Sequence, residues 1–139
     1  MRMTVRAEHL DLTFYIAGPM SGYPDFNYPA FQQAKEWLEA GSIKVVSPHD
    51  VQHNETPDSF GSLAFGDYLA DDLAVGLTKK CRGIILLQGW PQSRGARVEL
   101  SLALMLDWPV YFLDQSRGYP WRMVDFNKLT SPTERSIAA

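Results

Sequence analysis

This sequence of 139 residues offers little for disulfide chemistry, membrane insertion or electrostatic binding of a polyanion. Its one cysteine, Cys81, has no second thiol in the chain to pair with and cannot build a cysteine-rich metal centre. It precedes the apolar run GIILL, where it reads as a small buried residue. No apolar stretch approaches the roughly 20 residues that cross a bilayer, and the opening segment MRMTVRAEHLDLTF has no signal-peptide core. We therefore expect a protein without a membrane partner, in a reducing cytoplasm. Lysine and arginine number 13 against 16 aspartates and glutamates, a formal net charge of -3. That balance gives no general attraction for phosphate backbones and disfavours a nucleic-acid polymer as partner.

Internal repeats and low-complexity segments are also missing. What is present is ordinary globular usage, 45% hydrophobic and 21% charged, in a length that suits one domain with a real core, residues 1–139. Three short runs are apolar throughout: Thr13–Ala17, Gly83–Leu87 and Val110–Leu113. Such runs suit strands covered on both faces, as in a parallel sheet, and Ile43–Ser47 is a weaker fourth. Helical patterns lie between them. Tyr28–Ala40 has Pro29 near its start, Gly41 at its end and Phe31, Ala34 and Leu38 on one stripe. A second helix is expected over about Ser62–Lys79, and a third over Ser93–Leu106.

Strands alternating with helices give right-handed βαβ units. The expected fold is α/β, a small doubly wound, Rossmann- or flavodoxin-like, mainly parallel sheet of four to five strands. The core spans about 13–113, and 114–139 is read as a tail or a subunit-contact arm because it shows no clear period. Ligands of such sheets bind beyond the carboxyl ends of the strands, and unusual residues follow each of those ends here.

After the first strand comes GPMSGYPDFNYP, a loop whose backbone can approach a ligand closely or can simply be a long turn. After the third comes QGWPQSRGARVE. Ser93 there reads, taken alone, as an ordinary serine cap, and the amides beside it point outward as an anion site. Glu99 is the odd residue, because it shares a helical face with Ala96, Ala103 and Leu106 and lies too deep for a capping box. Asp71 and Asp72 sit within the second helical pattern, which aspartate does not favour, pointing about 100° apart. His49 and His53 have metal-like spacing without a third convincing ligand, so no metal site is assigned. Tyr15 lies near the first strand's end, where its hydroxyl can reach the crevice or stay in the core.

Taken in order, YIAGPMSG, YLADDL and GWPQSRGARVE resemble the nucleoside 2-deoxyribosyltransferase superfamily, most closely its small branch related to the 2′-deoxynucleoside 5′-monophosphate N-hydrolases. The likeness spans about Thr13–Leu113. It implies cleavage of the N-glycosidic bond of a nucleoside or its 5′-monophosphate, with no cofactor and no metal, by a homo-oligomer. By this resemblance Glu99 matches the nucleophilic glutamate, Tyr15 the tyrosine that positions it, and Asp72 the aspartate near the departing base. Ser93 matches a serine that binds the 5′-phosphate, and Gly18, Pro19, Met20 and Ser21 match the loop that wraps the ligand. Arg82 departs from the pattern, standing where relatives often carry an aspartate.

The implied chemistry is that of a retaining glycosidase. Positive charge builds at C1′ as the base departs, and a carboxylate beside that carbon captures it. Gly95 and Ala96 leave room on the helix, and Trp90, Tyr23, Phe26 or Tyr28 can stack on a base. Water completing the reaction makes a hydrolase; a second base makes a transferase. The alternatives are a catalytically silent nucleotide-binding or regulatory module on the same fold, or an interaction protein that works through its tail.

Overall fold

A computed structural model of the chain describes residues 5–50, 73 and 80–126. The elements run β1 (Thr13–Ala17), α1 (Tyr28–Ala40), β2 (Lys44–Val46), β3 (Gly83–Leu86), α2 (Arg94–Met105), β4 (Val110–Asp114) and β5 (Arg122–Asp125). The five strands form one sheet in the order β2-β1-β3-β4-β5. Its first four strands are parallel and β5 is antiparallel to β4. The architecture is mixed α/β.

The apolar runs become strands because both sheet faces are covered. Phe14, Ile16, Val45, Ile85, Tyr111 and Leu113 pack with Phe31, Ala34, Trp37 and Leu38 of α1. Tyr15, Ala17, Ile84, Leu86, Val110 and Phe112 pack with Ala96, Leu100 and Ala103 of α2. Alternate residues of each strand therefore enter opposite layers, so the central strands β1, β3 and β4 have no exposed polar side. Each large buried aliphatic or aromatic side chain contributes about 1.5–3 kcal/mol relative to exposure.

Both helices stop by the same device. In α1, the Ser42 N–H donates to Glu39 O and the Ile43 N–H to Leu38 O. In α2, the Asp107 N–H donates to Leu104 O and the Trp108 N–H to Ala103 O. Ser42 (φ 68°) and Asp107 (φ 56°) take the left-handed position that usually goes to glycine.

The segment after Leu113 differs from its sequence reading. Residues 122–125, expected within a tail or arm, form β5 and pair Tyr111–Asp114 with Arg122–Asp125. Four residues at an edge, with Arg122 exposed and only Met123 buried, are too short and too mixed to show a period. The rest of that tail, 127–139, lies outside the described residues, as does the helix expected over 62–79 apart from Leu73, which packs on the α2 side of the sheet. Among the described residues no helix is long and apolar enough to cross a membrane.

Candidate functional site

The strand order brings the two unusual loops together. From β1 the chain moves to one side to reach β2, and β3 returns on β1's other side. The loops leaving β1 and β3 thus start side by side and turn toward opposite faces of the sheet. The Leu87 N–H donates to Ala17 O at 2.8 Å, which carries the parallel ladder one step past β3.

Beyond that point the contact is close. A Cβ on Gly18 would sit 2.9 Å from the Leu87 Cβ, nearer than real Cβ atoms come, so only glycine fits there without a shift. Gly89, at φ +86°, lies where a Cβ would meet the Pro19 ring at 3.3 Å. The Ser93 hydroxyl caps α2 by accepting from the Ala96 N–H at 3.1 Å, and it reaches the Gly18 carbonyl oxygen in a long 3.5 Å contact. One side chain therefore serves the helix start and touches the first loop.

The first loop is held in an unusual shape. Asp25, Phe26 and Asn27 are consecutive left-handed residues, with φ of 52°, 52° and 62°. Such a conformation costs non-glycine residues roughly 1–2 kcal/mol each. The Asn27 amide Nδ2 offsets part of that by donating to Pro19 O at 2.8 Å, across the base of the loop. Asn27 was not legible as a site residue, since an Asn before a helix reads as a cap; here its side chain does not cap α1.

Glu99 is buried at 4% exposure, on the α2 face that also carries Ala96, Leu100 and Ala103. A carboxylate so placed must be hydrogen-bonded or charge-paired to stay ionised, and Glu99 is not isolated. Leu106, expected on the same face, is 48% exposed because the helix has already ended at Met105. Tyr15 is fully buried, in the layer between β1 and α2. Tyr15 and Glu99 hence belong to the same side of the sheet.

The other expected residues divide. Pro19 is buried and Ser21 exposed at the loop's surface. Met20 packs against the α1-side layer, and Trp90 packs against the α2-side layer with its ring edge-on to Phe126 at 6.0 Å. Gly95 is half-buried in the first turn of α2. Tyr23 and Tyr28 are exposed, and the His49 ring lies edge-on to Tyr28 and Phe31. Asp71, Asp72 and His53 lie outside the described residues. Among the described residues no cluster of three metal-ligating side chains occurs.

Residues 12–112 match the family model described as a domain of unknown function, DUF4406, and the chain belongs to that family. The match runs from β1 into β4 and includes both loops. No curated protein matches the chain.

Proposed function

We propose that this chain cleaves the N-glycosidic bond of a (deoxy)nucleoside or its 5′-monophosphate, using Glu99 as nucleophile on a doubly wound, Rossmann-like sheet. The observation that carries the reading is the buried Glu99 carboxylate, less than two turns along the helix whose capping Ser93 touches the loop after β1. Such a helix start favours an anion or a sugar hydroxyl, and the crevice where strand order reverses is the usual ligand site of open parallel sheets.

In the proposed reaction the Glu99 carboxylate forms a bond to C1′ as the bond from C1′ to the base nitrogen breaks. The bonding pair leaves with the base, which takes a proton from Asp72 or a water that Asp72 orients. In the second half, water or a second base attacks C1′ and frees Glu99; the proton lost by the attacking group returns to the acid. Tyr15, on the same side of the sheet as Glu99, would donate its hydroxyl to that carboxylate and so keep it ionised and oriented.

The test is a panel of ribo- and deoxynucleosides and their 5′-monophosphates, with free base followed by chromatography. The parent is expected to release base from at least one, and Glu99→Gln to lose about 10²-fold or more. Nucleotide binding without base release would identify a silent binding module. An active Glu99→Gln would reject Glu99 as nucleophile.

A further inference from the structure

Asn27 is placed to cap α1 and does not. It stands immediately before Tyr28, and asparagine is among the side chains best suited to bond a helix's first free N–H groups. Its side chain caps nothing there, and no acidic residue in the first turn takes over the task. Instead the Nδ2 donates to the Pro19 carbonyl at 2.8 Å, eight residues back. To reach it, Asn27 closes a run of three left-handed residues: Asp25 at φ 52° and ψ 35°, Phe26 at φ 52° and ψ 34°, and itself at φ 62° and ψ 24°. Strained backbone of this kind persists only where the surrounding structure holds it, and it gathers at ligand sites. The forgone cap and the strain both serve the Pro19 contact.

That contact completes a pair. Gly18 and Pro19 follow β1 directly, and side chains from two different helix starts meet their successive carbonyls: Ser93 of α2 in the long 3.5 Å contact, and Asn27 of α1. Pro19 is buried, and its ring lies where a Cβ on Gly89 would meet it at 3.3 Å, so the segment bears on the connection from β3 to α2. The Pro19–Met20 peptide is trans. A trans peptide carries its N–H opposite its carbonyl, so holding the Pro19 oxygen on Asn27 turns the Met20 N–H away from the start of α1. That N–H has no acceptor among the described residues, while the Met20 side chain is anchored in the α1-side layer.

We propose that Asn27 is a positioning residue of the site: by holding the Pro19 carbonyl, it presents the Met20 N–H to the crevice as a donor for an acceptor oxygen of the bound ligand. The role rests on the N-glycosidic reaction proposed for the same crevice. Two substitutions separate the amide from the backbone that carries it. Asn27→Gly takes the left-handed conformation at no steric cost but has no donor. Asn27→Asp keeps the size and tolerates the same conformation, but sets an acceptor against the Pro19 oxygen.

Circular dichroism and thermal melting check that both variants fold. Amide hydrogen exchange is then followed at Tyr23 and Phe26, whose N–H groups donate to Met20 O and Tyr23 O within the loop, and base release is measured against substrate concentration. Both variants are expected to fold, to exchange those amides at least about tenfold faster, and to raise KM about tenfold or more with a smaller fall in kcat. A residue that only supported the fold would lower kcat with the folded fraction and leave KM unmoved. Loss of the fold in both variants, or loop exchange as slow as the parent's, would overturn the proposal. Unchanged KM in variants of an active parent would overturn it too and leave the N-glycosidase reading intact. A parent that releases no base from any nucleoside or 5′-monophosphate would overturn that reading itself, and the role of Asn27 with it.

Discussion

The Ser93 hydroxyl accepts the Ala96 N–H at 3.1 Å and reaches the Gly18 carbonyl at 3.5 Å, so one side chain begins α2 and meets the loop leaving β1. Its two roles can be separated. Ser93→Ala removes the cap and is expected to cost about 1 kcal/mol, lowering Tm by about 3–6 °C for a chain of this size. Ser93→Asp keeps a capping oxygen but adds a charge that repels phosphate. It is expected to hold Tm near the parent while losing activity on 5′-monophosphates, as read by thermal melts beside the base-release assay.

Glu99→Gln preserves side-chain volume and hydrogen-bonding capacity but not charge. The variant is expected to remain folded at assay temperature while base release disappears. A purely structural carboxylate would give the opposite pattern, with activity falling only in step with the folded fraction. Thermal melting and single-turnover base release on one preparation decide between them.

Asp114 ends β4 and joins it to the turn before β5. Burial opposes ionisation there, but hydrogen bonds from Arg122 and Ser116 outweigh it and hold the carboxyl below its usual 3.8. A carboxyl depressed on folding stabilises the protein above its unfolded pKa, and that contribution vanishes as pH falls through the folded value. Urea midpoints measured from neutral pH into the acid range should therefore drop below about pH 4, and Asp114→Asn should flatten that drop. At neutral pH the same substitution is expected to cost about 1–3 kcal/mol, the scale for hydrogen bonds to a charged group.

Cys81 is fully buried, and desolvation pushes its thiol up to about 12 despite the positive charges of Lys80 and Arg82. Only the thiolate reacts quickly with disulfide reagents. The native chain is expected to resist labelling at pH 8 and to take up one equivalent in denaturant; fast native labelling would show that the start of β3 opens.

How far the sequence reads depends on the kind of signal. Thr13–Ala17 and Tyr28–Ala40 keep the bounds expected from the sequence, and the other expected elements within the described residues shift by only one or two. Runs apolar on every residue suit strands covered on both faces, and a periodic helix carries its own stripe. By contrast β5 is four residues of mixed polarity whose pairing partner is β4, and nothing local announces an edge strand. The left-handed run Asp25–Asn27 is equally hidden, because Asp and Asn take that conformation as single residues and Phe does not favour it, so nothing local calls for three in a row.

Sequence alone determined the layers: which residues are apolar, at what period, and therefore which strands are covered and which helix faces turn inward. It also marked Glu99, because a carboxylate on such a stripe is costly to bury. The tertiary structure decided what no local pattern encodes. It set β3 beside β1, bringing Gly18 against Leu87 and Ser93 to the Gly18 carbonyl, and it left Val98 and Met105 uncovered. Strand order and exposure depend on contacts between segments distant along the chain, whereas periodicity and propensity act within a few residues.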